Sequence, residues 1–180
     1  MAQFGLAVIV VLAVGGQLAV TAQPQAVDTT AETHCVVYVT DQLASGELVV
    51  TDPLCFDSLA DAIVEASGGE VKISSGSELF TDPETGALLA TFTLGIHYDG
   101  YSGAGSSITV VGSSCTGGWW NTGAAWANRI SSSYNGCYRL RHHDLPDRQG
   151  IHGDTTGSGA VHNVPAPINN KAESVSYWGS

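Results

Sequence analysis

Two short polar loops, 42 residues apart, constrain this chain more than anything else in it. The first is Ala127-Asn128-Arg129-Ile130-Ser131-Ser132 and the second is Asn169-Asn170-Lys171-Ala172-Glu173-Ser174. Each offers amide, hydroxyl and carbonyl oxygens in close succession. Aromatic residues accompany both: Trp119, Trp120 and Trp126 precede the first, and Tyr177 and Trp178 follow the second. A polar loop repeated beside an aromatic anchor predicts a duplicated unit, with a hard-cation site between the copies.

The sequence around the loops echoes as well. One half carries His97-Tyr98-Asp99-Gly100-Tyr101-Ser102-Gly103, a β-prone run and the first loop. The other carries His142-His143-Asp144, then Gln149-Gly150, a β-prone run and the second loop. Each half has the length of a four-stranded antiparallel unit, and two such units bury a sheet face that one would expose. Strands are expected over 88–96, 107–111, 138–141 and 174–178, separated by glycine-rich turns. This predicts an antiparallel sandwich or barrel from about residue 90 to 180.

The preceding segment reads differently. Residues 35–40 and 47–51 are rich in β-branched side chains and predict a hairpin. Asp57 or Ser58 can cap a short helix over 59–66, which Gly68-Gly69 stops. A short strand is expected over 71–73 and a loop over 74–86. Residues 34–86 therefore read as a small α+β segment, a hairpin plus one short helix, and 23–33 as a disordered lead.

Residues 1–22 read as a secretory signal. Phe4 to Val20 is almost wholly apolar and uncharged, and Val20-Thr21-Ala22 supplies small residues for cleavage after Ala22. The rival reading is a membrane anchor, since this stretch could just span a thinned bilayer. Cleavage leaves a secreted, extracellular protein with no membrane association. Four cysteines in such a chain predict two disulfides, with three connectivities open. Cys35–Cys55 and Cys115–Cys137 are favoured, because each pair lies within one segment. Each would contribute about 3 kcal/mol in the loop-entropy account. No CxxC spacing supports metal ligation by cysteine.

Charge is unevenly placed. Between Asp28 and Glu84 stand twelve acids and one base, Lys72, whereas residues 87–180 hold five of each. No basic surface large enough for nucleic acid is expected. The acidic half reads as a solvated face, with a pro-segment or a lure for a cationic partner as the sharper alternatives.

Over residues 95–178 the loops and hairpins resemble a βγ-crystallin domain of the kind found in secreted microbial proteins. That family pairs two Greek-key motifs. Each opens on an aromatic hairpin carrying a glycine and closes on a loop with Asn or Asp at two positions, then two free positions, Ser or Thr, and Ser. The openings here are 98–103 and 143–150. The resemblance implies a double Greek-key sandwich and Ca²⁺ between the loops. One site would use Asn169, the Arg129 carbonyl and Ser131. The other would use the Lys171 carbonyl and Glu173, but Ala127 offers no side-chain oxygen there and Glu173 replaces a hydroxyl residue. Neutral ligands imply weak binding, on the order of 10⁻⁴–10⁻³ M.

The same fold is shared by bacterial metalloproteinase inhibitors and killer-toxin-like proteins. The function expected is thus a binding or structural module, with a protease inhibitor and an antimicrobial effector as alternatives. Its partner would be an extracellular protease or a cell-surface target. Residues 163–168, with Pro165 and Pro167, are the candidate inhibitory loop. The tryptophans are expected to fill the wedge between the sheets, a carbohydrate platform being the alternative, since Trp119 and Trp120 must face opposite ways on a strand. His97, His142, His143, His152 and His162, with Asp99, Asp144 and Asp154, invite a zinc or acid–base reading. No HExxH or GxSxG motif supports it, so hairpin and surface histidines in a non-enzyme are expected.

Overall fold

The glycine-punctuated runs become eleven strands in two sheets. A computed structural model describes residues 31–73 and 83–179; the expected signal, its cleavage point at Ala22 and most of the 74–86 loop lie outside them. The described chain is mainly β. In order it forms β1 (His34–Gln42), β2 (Leu48–Val50), β3 (Leu54–Phe56), α1 (Leu59–Ala66), α2 (Pro83–Leu89), β4 (Thr93–Tyr98) and β5 (Ser107–Val111). There follow β6 (Thr116–Asn121), α3 (Gly123–Trp126), β7 (Ser132–Asn135), β8 (Arg139–His143), β9 (His152–Thr156), β10 (Val161–Asn163) and β11 (Ser174–Trp178).

The first sheet runs β10-β7-β4-β5-β1-β2, with β3 also paired to β1, and the second runs β6-β11-β8-β9. The two halves, β4 to β7 and β8 to β11, are wired alike. In each, the first two strands pair antiparallel and the fourth pairs with the first. The third strand crosses over. β6 pairs with β11 of the other half, and β10 pairs with β7.

The 34–86 segment joins the first sheet rather than ending at it. β1 lies parallel to β5 in a ladder from His34↔Ser107 to Tyr38↔Val111, so hydrogen-bonded sheet crosses the expected boundary at residue 90. Both faces of β1 are used. Cys35 and Val37 face the core between the sheets, while Val36 packs with Ala62 and Ala66 of α1. Burial on both faces suits a strand this rich in valine. Both favoured disulfides are present, and Cys35 and Cys55 stand directly opposite on β1 and β3. Ser58 is the helix cap, accepting from the Asp61 amide at 3.1 Å.

Local boundaries differ from expectation in four places. Residues 71–73 form no strand; Val71 instead drops into the apolar layer under α1. Pro83–Leu89 is helical where a loop was expected. It displaces the expected 88–96 strand to Thr93–Tyr98. The expected 138–141 strand lies at Arg139–His143, leaving Tyr138 exposed.

The main core lies between the sheets and includes Leu94, Ile108, Val110, Trp120, Trp126, Ile130, Leu140, Val175 and Tyr177. Truncating a side chain such as Leu140 to alanine would cost about 2–5 kcal/mol. A polar chain crosses this core. His97 Nε2 meets Tyr177 Oη at 2.9 Å and His97 Nδ1 meets Ser133 Oγ at 2.8 Å; the same hydroxyl meets His142 Nε2 at 2.9 Å. The contacts with Tyr177 and His142 run from one sheet to the other, so they exist only when the sheets are packed. Burial holds His97 well below its ordinary pKa, and lowers His142 to about 4.

An acid-sensitivity prediction follows from the sign of those shifts. The unfolded chain takes protons on these imidazoles near their ordinary pKa of about 6.5, and the folded chain does not. Stability should therefore be complete above about pH 6.5 and fall toward about pH 4, by at most about 1.4 kcal/mol per pH unit per histidine. Denaturant midpoints taken between pH 7 and 4 check it, and a level profile would contradict it.

Candidate functional site: two interlocked loops

The crossing of third strands decides where the polar loops go. The first loop leads into β7 and the second into β11. The partner of each half is the other half's third strand, so the loops arrive face to face. They then bond reciprocally. The Asn128 amide donates to the Ala172 carbonyl at 2.9 Å, and the Asn170 amide donates to the Ile130 carbonyl at 3.0 Å. Both asparagines take a left-handed backbone, with φ of 61° and 54°. Asn tolerates that region better than most side chains. The Ser131 and Glu173 amides donate to the Tyr98 and His143 carbonyls, each at 2.8 Å.

The closing serines serve another purpose. Ser132 Oγ donates to the Gly100 carbonyl and accepts from the Gly103 amide; Ser174 Oγ donates to the Leu145 carbonyl and accepts from the Arg148 amide. Each serine pins the bend of its own half's opening hairpin. In those bends Gly105, rather than Gly103, is the counterpart of Gly150: each packs against the hairpin's aspartate, Asp99 or Asp144.

At the better expected cation site, Asn169 and Ser131 are neighbours. Asn169 Nδ2 donates to the Ser131 carbonyl at 3.4 Å, and Ser131 Oγ donates to Asn170 Oδ1 at 2.8 Å. Asn170, which sequence reasoning left out, thus stands in this oxygen group. Its signal was present in the sequence, as the matching position of Asn128. The Arg129 guanidinium leaves the site: it bonds Asp99 at 2.7 Å and the Ala125 carbonyl at 3.0 Å, and lies over the Trp126 ring. Only its carbonyl could serve a cation. At the other site Glu173 Oε1 accepts from Asn128 Nδ2 at 3.0 Å, which leaves the second carboxylate oxygen for a cation. The first set fits an oxygen-seeking cation in donor type. The second has a charge but lacks a ligand at Ala127.

Other expected residues scatter. Trp120 and Trp126 enter the core between the sheets, but Trp119 and Trp178 do not: they lie on the outer side of the second sheet. The histidines expected at hairpins and the surface are partly inside. His97 and His142 are fully buried, because they occupy inward positions on β4 and β8. His143 faces outward toward His152, their ring centres 5.6 Å apart, and His162 bonds the Gly157 carbonyl. Among the described residues, no three His, Cys, Asp or Glu side chains group closely enough to hold a metal ion. Residues 163–168 do not present an extended strand. The Ile168 and Asn169 amides bond back to the Pro165 carbonyl, and Val164 and Ile168 are buried. Within the segment Asn163, Ala166 and Pro167 are exposed.

No family profile, characterised protein or solved structure matches the chain.

The left-handed asparagines are testable. Asn128→Ala should lower stability by about 1–2 kcal/mol, because alanine resists that backbone and loses the bond to Glu173. Asn128→Gly keeps the backbone and should cost less. Urea midpoints of the two variants decide it, and equal losses would show that the backbone inversion does not matter.

Proposed function

We propose that this chain is an extracellular, disulfide-stabilised binding or structural module of the βγ-crystallin type, built from two Greek-key units and not from an enzyme's active site. The two loops clamp the units together and take a weakly held Ca²⁺ on Asn169, Ser131 and the Arg129 carbonyl. One observation carries this reading: the reciprocal Asn128 and Asn170 hydrogen bonds, made by loops 42 residues apart with the same inverted backbone. Duplicated wiring of the strands supports it, as do two disulfides, which favour an oxidising setting. Bound Ca²⁺ would tie one loop to the other and add stability without chemistry.

Calcium titration tests the metal part. If the dissociation constant is about 0.5 mM, tenfold excess Ca²⁺ stabilises by about 1.4 kcal/mol relative to EDTA. For a domain of this size that raises Tm by about 3–6 °C. Ser131→Ala with Asn169→Ala should abolish the rise. An unchanged Tm in the parent protein rejects the cation site and leaves the paired-loop clamp to stand on the asparagine variants.

A further inference from the structure

The two sheets treat their outer sides differently. α1 and the residues around Val71 and Leu89 cover the first sheet. Among the described residues, no helix of two turns or more lies on the second. Strand alternation points Leu140, His142, Val175 and Tyr177 inward. It points Arg139, Arg141, His143, Ser176 and Trp178 outward. Trp119 joins them from β6.

Two flat stacks form there. The Trp178 ring lies on Gly117 and the Trp119 ring on Gly46; at either glycine a Cβ would come within 2.6 Å of the ring. Over the rings sit guanidiniums, Arg139 at 5.3 Å from the Trp178 centre and Arg148 at 4.0 Å from that of Trp119. Such a contact contributes about 0.5–1 kcal/mol per pair at an exposed site and holds each guanidinium over its ring. It leaves their donor edges unanswered. Among the described residues, neither Arg139 nor Arg148 has a carboxylate partner, although the chain carries a net charge of −11. Arg141 differs: it is held by Asp154 through two bonds, of 2.7 and 2.9 Å.

Between the stacks lies a cleft of about 260 Å³ lined by Arg141, His143, Asp147, Arg148, Ser176 and Trp178. Three of the chain's six bases are on this face. An acceptor stands among the donors in Asp147, which keeps one carboxylate oxygen while the other accepts from Asn121 Nδ2 at 2.9 Å; the Ser176 hydroxyl is buried against His143 Nε2 at 3.2 Å. Within the cleft wall, His143 is 5 % exposed and its Nδ1 has no protein partner.

We propose that this face binds an acidic glycan, a polysaccharide carrying carboxylate or sulfate groups. Arg139 and Arg148 take the acid groups, and Asp147 takes a hydroxyl through its second carboxylate oxygen. Unpaired, pre-oriented guanidiniums call for an anion. The interleaved acceptor calls for a ligand that also donates. A nucleic acid meets the first requirement but not the second, and its dense charge is repelled by the acidic remainder of the chain. A neutral glycan leaves the guanidiniums unanswered. The cleft adjoins the second loop, since Ser174 Oγ accepts from the Arg148 amide, but none of its lining residues is a proposed Ca²⁺ ligand, so failure of Ca²⁺ binding does not touch it.

Affinity electrophoresis of the full disulfide-bonded protein tests the idea. Gels would contain polygalacturonate, dextran sulfate, neutral dextran or duplex DNA. Retardation by at least one acidic polymer is expected at about 50 mM salt and should fade by about 0.5 M. Which acidic polymer retards the protein tells carboxylate from sulfate. The Arg139→Gln, Arg148→Gln double variant should bind at least about tenfold more weakly with its melting unchanged, the loss expected when charge-assisted bonds go. Lys72→Gln, which removes one positive charge elsewhere as each single arginine variant does, should bind like the parent. If the double variant melts early, the single variants replace it, and each should weaken binding without loss of fold. No retardation by either acidic polymer would overturn the proposal. So would equal retardation by dextran or DNA, or undiminished binding by the arginine variants.

Discussion

Exchange of the third strands is the constraint on which the remaining structure depends. β6 leaves its own half to pair with β11, and β10 leaves its half to pair with β7. Neither four-stranded layer can close without a strand from the other half. Backbone donors left open inside a folded protein are costly, so the two halves must form together. The exchange sets the core, because Leu94 and Val110 on one sheet then face Leu140, Val175 and Tyr177 on the other. It also delivers the polar loops to each other, where a simple side-by-side packing of two units would not.

The duplicated frame carries unlike surfaces. The first sheet gained β1, β2 and β3 on its edge and a helix on its back, which buries it on both faces. The second sheet kept an open back, which it fills with flat tryptophans and arginines. Most of the acidity lies before residue 87, and the bases that remain collect on the second half.

Much of the frame was legible along the chain. Strands β5 and β11, helix α1 and both disulfides lie where local signals put them. Each rests on short-range physics: β-branched runs, a serine cap, a double glycine stop, and cysteines kept within one segment. The repeated loops were legible for the same reason, since Asn128 and Asn170 are turn-forming residues in matching contexts. The histidines were not. His142 and His143 are chemically identical neighbours, and only the direction of β8 puts one between the sheets and the other on the outer side of the second sheet, though both are buried. Trp119 and Trp120 divide in the same way on β6. The parallel pairing of β1 with β5 was equally hidden, because strands more than seventy residues apart carry no local sign of each other.

The sequence by itself determined the β-rich class, helix α1, the covalent staples and the duplication. These follow from propensities and spacings that act within a few residues, whatever the remainder of the chain does. Tertiary structure alone decided which sheet each third strand joins, which tryptophans are core, and that two guanidiniums are left facing outward without a carboxylate. Those outcomes depend on packing between distant segments, where burial and hydrogen-bond closure of the whole assembly outweigh any local preference.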